Sequence, residues 1–298
     1  MKLRHRRCIP SCASQLRVDE DELYRDGKKR EAASAWLHNS AQIISKLAQC
    51  FTNAMVGPRA WVGGIFSRSS NKKFEGIKHL EYTPTQIQEE RLQRLKERLG
   101  VPFDENCIDH LEALKALWHM SFPDIEFQGL ISEQWKEMGW QGSNPSTDFR
   151  GCGFLSLENL LYFARNYPAT FHRLLLKKSG QRALWEYPFA AAGVNITFML
   201  IQMLELYSER PRCLPGINFV KLLGEDEDAF DILYCVAFAM LDAQWLAMHA
   251  SYMEFNEVVQ VSRTQLEREL SLEDVQSIHD LPAHNMLLYL SAAAPAYY

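Results

Sequence analysis

The amino-acid sequence predicts an all-α fold: a single compact multi-helix domain that follows a partly helical, partly disordered N-terminal extension. Apolar residues recur at the i, i+3, i+4 spacing of amphipathic helices along most of the chain. No run of β-branched residues alternates with polar ones over a useful length, so strand signals are almost absent. We therefore expect the extension at residues 1–80, the helical domain at residues 81–280 and a loose C-terminal tail at residues 281–298.

Composition limits the chemistry that this chain can perform. The 298 residues carry a net charge of −5, which argues against nucleic-acid binding, because phosphate contacts need a concentrated basic face. The sequence contains no GxxxxGK[ST] phosphate loop and no HExxH or GxSxG motif. Its seven irregularly spaced cysteines indicate free thiols in a reducing compartment, and Cys8 and Cys12 lack a second ligand pair for zinc. The sequence thus predicts a cytoplasmic protein with no cofactor, no metal site and no hydrolytic site of its own.

The N-terminal extension begins with a basic segment. Its basic side chains, with no acid among them, are Lys2, Arg4, Arg6 and Arg7. Our interpretation is a disordered tail. The alternative is a weak electrostatic contact with a membrane surface, with palmitoylation at Cys8 or Cys12, which would make the protein peripheral to a membrane. A helix over residues 28–56 and a flexible linker over residues 59–80 follow.

Start and stop signals define the helices that precede the central loop. Thr83 as the N-cap and Pro84 at the first helical position predict a helix that ends at Gly100. Asp104 is expected to cap a second helix. A short third helix is predicted over residues 126–138.

Helical patterns resume after the loop. They cover residues 154–164, 169–178, 187–208, 225–253, 255–270 and 272–279. The carboxylates at residues 225–228 favour a helix N-terminus through the helix dipole rather than a metal site. The most apolar stretches, residues 188–204 and 232–241, carry polar groups or are too short to span a bilayer, which favours helices buried in the core.

The stretch at residues 135–153 reads WKEMGWQGSNPSTDFRGCG and differs from its surroundings. Its four glycines, one proline and one arginine lie between two apolar helical patterns. Loops held on a rigid scaffold are where binding and catalytic residues concentrate. Two interpretations of Arg150 follow from the residues alone. The favoured one is a buried ion pair that fixes the loop, and the other is a guanidinium presented to a partner.

This stretch resembles the signature of the ELMO domain. The matching positions are Trp135, Gly139, Trp140, Gln141, Gly142, Pro145, Thr147, Asp148, Phe149, Arg150, Gly151 and Gly153. As in that family, the segments LSLENLLYFA and YPFAAAGVNITFML follow, so the resemblance extends over roughly residues 105–275. The chain is similar to the small, single-domain, plant-like type. Arg150 is present, and from the length of the flanking sequence we expect none of the repeat and membrane-binding modules of the family's large scaffold members.

The resemblance implies a GTPase-activating protein for GTP-bound small GTPases of the Arf and Arf-like group, with Arg150 as the catalytic arginine. Asp148 would cap the following helix or hold Arg150. Gln141 would orient the loop backbone, in preference to the attacking water. The other residues of the signature would shape or support the loop, with three of them acting as core anchors: Trp135, Trp140 and Phe149.

An arginine suits this role physically. GTP hydrolysis builds negative charge on the phosphate oxygens, and an always-charged, planar guanidinium supplied in trans stabilises that charge. Gly151 and Gly153 beside it would allow close approach and an unusual φ. The alternative function is a non-catalytic adaptor that binds a small GTPase or an exchange-factor partner.

Overall fold

The computed structural model describes residues 82–177 and 186–292. Within these ranges the chain forms α-helices and short 3₁₀ helices and contains no strand, which confirms the predicted all-α class. The α-helices are, in chain order, α1 Gln86–Leu99, α2 Ile108–Ser121, α3 Leu155–Asn166, α4 Pro168–Leu176, α5 Phe189–Met203, α6 Leu214–Glu225, α7 Ala229–Ala247, α8 Phe255–Glu269 and α9 Asn285–Ala292.

Helix α1 begins two residues later than predicted. Its N-cap is Thr85, whose hydroxyl accepts from the backbone N–H of Gln88, while the Gln88 side chain accepts from the backbone N–H of Thr85 at 2.8 Å. This reciprocal capping box satisfies two of the N–H groups that a helix start leaves without an intrahelical partner. The predicted end at Gly100 is confirmed.

Two expectations for the segment between α1 and the central loop are wrong. Asp104 does not cap α2, because its carboxylate accepts instead from the backbone N–H of Asn106 at 2.8 Å, and the N-cap residue is Cys107. The predicted helix at residues 126–138 is a 3₁₀ helix restricted to Glu133–Met138. It starts where the Ser132 hydroxyl accepts from the backbone of the following turn.

Helix α7 is the centre of the domain. It packs against α3, α5, α6, α8 and α9, and nearly all of its side chains are buried. By length and composition it could cross a membrane, but 83% of its most apolar 18-residue stretch is buried inside the domain. This burial accounts for its apolar sequence and agrees with the prediction of a core helix. The helix ends at Ala247, earlier than the predicted residue 253.

Two buried carboxylates on α7 tie other helices to this centre. Asp231 accepts two hydrogen bonds from the guanidinium of Arg98 on α1, at 2.8 and 2.9 Å. Asp242 accepts from Arg173 on α4 at 3.1 Å and from the hydroxyl of Tyr187 at 2.8 Å. Each charge is therefore removed from water only where an opposite charge or a hydroxyl satisfies it.

The C-terminal region is more ordered than the sequence predicts. The expected helix at residues 272–279 is a turn that leads into a 3₁₀ helix at Ile278–Asp280. The tail expected to be loose forms a second 3₁₀ helix at Pro282–His284 and then α9, which packs against α4 and α7 and buries Leu287. Residues 293–298 lie outside the described part of the chain. So do the predicted extension, its helix and its linker.

Candidate functional site

The signature stretch lies between α2 and α3 as two 3₁₀ helices, Glu133–Met138 and Pro145–Gly151. Its three large aromatic side chains are fully buried, with relative exposure of at most 1% for Trp135, Trp140 and Phe149. The rings meet edge to face, with centroids 6.5 Å apart for the two tryptophans and 5.1 Å for Trp140 and Phe149. The indole N–H of Trp135 donates to the carbonyl of Gly129 at 3.1 Å. These aromatic contacts anchor the loop on its core-facing side.

Gly139 joins the first 3₁₀ helix to the start of α5. Its φ is +89°, and a Cβ atom there would lie 2.5 Å from the backbone nitrogen of Phe189. Its carbonyl accepts from the backbone N–H of Ala191 at 3.3 Å. Only glycine allows both this conformation and this approach, so the residue couples the loop to a core helix.

The second 3₁₀ helix is stabilised by hydrogen bonds within the loop. Asn144 is its N-cap, with a side-chain oxygen that accepts from the backbone N–H of Ser146 at 3.1 Å. Pro145 occupies the first turn, and the hydroxyl of Thr147 donates to the carbonyl of Asn144 at 2.9 Å. This arrangement is a capped helix start, which explains the Asn-Pro-Ser-Thr order in the sequence.

Asp148 has a different task from those expected of it. Its carboxylate is 7% exposed and accepts from the backbone N–H of Gln141 at 3.0 Å, so it neither caps α3 nor forms an ion pair with Arg150. Burial raises the pKa of Asp148 to about 6, against the opposing effects of the Gln141 N–H, the Thr147 side chain and the charge of Arg150. Asp148 thus closes the loop on itself, through the backbone of Gln141 rather than its side chain.

A segment that the sequence did not single out runs along the loop. We refer to residues 101–105, which have no helical structure, as the strap. The carbonyl of Val101 accepts from the backbone N–H of Phe154 at 2.9 Å, and the ring of Phe103 stacks on Phe149 with centroids 4.7 Å apart. Further along, the Glu105 carboxylate accepts from the side-chain amide of Asn144 at 3.1 Å. Every second residue of the strap therefore contacts the loop.

At Gly153 the backbone of the loop lies close to the backbone of the strap. Its φ is +60°, and a Cβ atom on it would lie 2.3 Å from the carbonyl oxygen of Val101. Gly151, in contrast, is not among the described glycines with positive φ, so the expectation of an unusual φ is met at Gly153 alone. The intervening Cys152 is buried, and burial raises the pKa of its thiol to about 12. Burial thus disfavours the thiolate, which is the form of cysteine that reacts as a nucleophile.

The side chain of Arg150 is exposed and places a positive charge at the candidate site. Its side chain borders a concavity of about 500 Å³ between the strap and the second 3₁₀ helix, whose other lining residues are Pro102, Phe103, Asp104, Glu105, Asn106, Ser146 and Thr147. In the part of the chain that the structure describes, its guanidinium forms no hydrogen bond and no ion pair. The interpretation of Arg150 as a buried ion pair that fixes the loop is therefore wrong.

The remaining signature residue, Gly142, has open space around it. A Cβ atom there would meet only the backbone nitrogen of Asn144, at 4.0 Å. The signature residues thus differ in what they do in the structure. Among them, buried residues hold the loop and two glycines with positive φ allow close backbone contacts, while Arg150 and Thr147 are exposed to solvent.

The helical fold and this loop together define a domain of the ELMO type, as the resemblance of the sequence suggested. The profile of the ELMO/CED-12 family matches residues 93–259. This match covers more than half of the chain, from α1 into α8 and through the whole candidate site. The protein belongs to the ELMO/CED-12 family.

Individual relatives agree with this assignment. The chain is 31% identical over 191 residues to ELMO domain-containing protein A of Dictyostelium discoideum, a match that covers 58% of this chain and 19% of that protein. It is 31% identical over 179 residues to ELMO domain-containing protein B of the same organism, covering 60% of each chain. Human ELMO domain-containing protein 2 is 33% identical over 159 residues, covering 52% of this chain and 51% of the human protein. In each case the match spans less than two thirds of the relative.

Proposed function

We propose that this protein is a GTPase-activating protein for a GTP-bound small GTPase of the Arf or Arf-like group. In this function Arg150 enters the partner's nucleotide site and stabilises the negative charge that develops during hydrolysis. The protein contributes the arginine, and the partner contributes the nucleotide, the magnesium ion and the attacking water.

One observation carries the proposal. Arg150 is exposed and unpaired within the described part of the chain, although the residue before it, Phe149, is fully buried. A guanidinium needs either water or an acceptor, and a structural arginine would use a carboxylate of its own chain. The carboxylate of Asp148, the nearest acid in sequence, instead accepts a hydrogen bond from the backbone N–H of Gln141. The charge of Arg150 is therefore available to an acceptor on another molecule.

The anchoring of the loop suits such a role. An arginine supplied in trans acts by electrostatic stabilisation, which depends on placing the guanidinium accurately and with little reorganisation. Buried aromatic side chains, the Gln141–Asp148 hydrogen bond and the Gly153–Val101 contact hold the backbone on both sides of Arg150. The side chain itself stays free to extend into the partner.

The proposal is tested by single-turnover hydrolysis of GTP on a panel of purified Arf and Arf-like GTPases. We expect the wild-type protein to accelerate hydrolysis on at least one of them by about 10³-fold or more, the range of arginine fingers. Arg150→Lys keeps the charge but loses the planar donor fork, and Arg150→Ala loses both, so both variants should lose most of the acceleration while still binding the GTPase.

Arg165→Lys is a matched control. Arg165 is also exposed, in the last turn of α3, and forms no hydrogen bond or ion pair among the described residues. This variant should activate like the wild type. Full acceleration by Arg150→Ala would refute the catalytic role of Arg150. Binding of a GTP-loaded GTPase without acceleration by the wild-type protein would instead support the adaptor function.

A further inference from the structure

The strap contacts the Arg150 loop through alternate residues, and the last of these contacts is a side-chain carboxylate. The Glu105 carboxylate accepts from the side-chain amide of Asn144 at 3.1 Å and from the hydroxyl of Ser146. These partners are 39 and 41 residues away in sequence, so the hydrogen bonds join separate segments of the chain. Both partners lie at the start of the 3₁₀ helix that carries Arg150.

The two ends of this 3₁₀ helix are held differently. Near its C-terminal end, Phe149 is buried in the core and Asp148 is bonded to the backbone of Gln141. At its N-terminal end, Pro145 is buried but Ser146 and Thr147 are partly or largely exposed, and Glu105 is a group outside the loop that forms hydrogen bonds there. Since 3₁₀ helices have poor internal hydrogen-bond geometry, their orientation depends on contacts of this kind.

The acids beside Arg150 accept hydrogen bonds from other groups. Asp104 and Glu105 line the same concavity as Arg150. The Asp104 carboxylate accepts from the backbone and side chain of Asn106, and the Glu105 carboxylate accepts from the loop. Both carboxylates are thereby directed toward other donors.

We propose that Glu105 is a positioning residue for Arg150. It holds the start of the 3₁₀ helix against the strap, so that the guanidinium is presented to the partner in one direction, and it keeps its own charge engaged away from that guanidinium. This inference rests on the proposed function, because it assigns Glu105 an effect on the stimulated rate rather than on binding.

The first test separates rate from affinity. We expect Glu105→Ala to lower the maximal stimulated rate of hydrolysis by about 10- to 100-fold, the usual effect of a small misplacement of a reacting group. The protein concentration at half-maximal stimulation should stay within about twofold of the wild-type value, since Arg150 and the rest of the surrounding surface are unchanged. Glu105→Gln keeps a side-chain oxygen that can accept from Ser146 and should retain most of the rate.

Glu126→Ala is the matched control for these variants. Glu126 is an exposed glutamate with no hydrogen bond or ion pair in the described ranges, and it should behave as the wild type. An unchanged maximal rate in Glu105→Ala would overturn the inference. So would a Glu105→Gln variant as slow as Glu105→Ala, because the hydrogen bonds would then not be the cause.

The second test does not depend on activity. Hydrogen–deuterium exchange followed by mass spectrometry should show faster exchange in the Glu105→Ala variant for the peptide that covers residues 144–151, and unchanged exchange in α7. Glu105→Gln should exchange like the wild type. Unchanged exchange at residues 144–151 in Glu105→Ala would overturn the positioning role whether or not a responsive GTPase is found. Failure of the wild-type protein to stimulate any GTPase, with the exchange difference present, would overturn the proposed function and leave the control of the loop by Glu105 established.

Discussion

Gly153 and the carbonyl oxygen of Val101 lie so close together that a Cβ atom on residue 153 would come within 2.3 Å of that oxygen. The clash is with backbone, which cannot move without shifting the strap, and the φ of +60° is itself unfavourable for an L-residue. The contact makes residue 153 the position of the loop where a small substitution should have the largest effect.

We therefore predict that Gly153→Ala destabilises the domain by at least about 2 kcal/mol, from the left-handed conformation and the overlap together. Gly142→Ala is the matched control, because a Cβ atom at Gly142 meets only one backbone nitrogen at 4.0 Å. Its cost should stay within about 0.5 kcal/mol. Urea unfolding followed by circular dichroism measures both values, and equal stabilities of the two variants would contradict the prediction.

The two buried tryptophans of the loop should respond differently to the same substitution. The indole N–H of Trp135 donates to the carbonyl of Gly129 at 3.1 Å, whereas the indole nitrogen of Trp140 is buried with no hydrogen-bond partner in the described part of the chain. Trp135→Phe loses a hydrogen bond, and Trp140→Phe removes a donor that is already unsatisfied.

We expect Trp135→Phe to cost about 1 kcal/mol more than Trp140→Phe, since the loss of ring volume is common to both. The comparison requires the unfolding free energy of each variant under the same conditions. A larger cost for Trp140→Phe would show that its indole N–H has a partner, such as an internal water molecule.

The buried carboxyl of Asp148 should give the stability of the domain a specific pH dependence. Burial raises the pKa of this group from 3.8 to about 6, so the folded protein holds the proton more tightly than the unfolded chain. The folded state is therefore favoured at low pH, and this contribution is lost as the pH rises from about 4 to about 6.

Asp148→Asn removes this titration and keeps an oxygen for the backbone N–H of Gln141. Relative to the wild type, the variant should gain stability as the pH rises from about 4 to about 7, by on the order of 2–3 kcal/mol. Glu105→Gln should change in the opposite sense, because hydrogen bonds from Ser146 and Asn144 lower the pKa of Glu105. Denaturation at several pH values tests both, and a pH-independent difference for Asp148→Asn would exclude the raised pKa.

Two arginines of α1 provide a further comparison. Arg98 forms two hydrogen bonds to Asp231, whose side chain is 5% exposed, whereas Arg94 lies 3.7 Å from Glu227 and both of those side chains are more than half exposed. Removing Arg98 leaves the buried charge of Asp231 without this partner. Removing Arg94 leaves only Glu227, whose charge is already solvated by water.

Arg98→Met should therefore cost about 2–4 kcal/mol, and Arg94→Met less than about 1 kcal/mol. The midpoint of thermal unfolding distinguishes the two at equal protein concentration. Replacing Asp231 by leucine in the Arg98→Met background should recover part of the loss, and a lower stability of the double variant would argue against an uncompensated buried charge as the cause.

Most of the helices could be predicted because apolar residues recur in the sequence at the 3.6-residue period of an α-helix. Capping was harder to predict: Thr83 and Thr85 are each followed three residues later by a glutamine, Gln86 and Gln88, and only the structure shows that the Thr85–Gln88 pair forms the capping box. The packing of α9 could not be predicted either, since an apolar segment looks the same in sequence whether it is loose or covered.

For the site, the sequence predicted the loop and its arginine but not the strap. Val101, Phe103 and Glu105 make an alternating pattern of only three positions, which is too short to stand out, and their contacts with residues 144–154 are set by the packing of α2 against α3. The predicted role of Asp148 was wrong for a related reason. Its burial and its hydrogen bond to the backbone of Gln141 depend on how the loop folds back on itself, and no sequence pattern specifies this.

The ordered C-terminal region has a practical consequence for recombinant work on this protein. The family profile stops at residue 259, inside α8, yet the packed structure continues to residue 292 and includes α9 lying on α4 and α7. A fragment trimmed to residues 93–259 would cut both α1 and α8 and uncover the apolar surface of α7. We expect such a truncated product to aggregate during expression, and a fragment that retains the sequence through residue 292 to avoid this exposure.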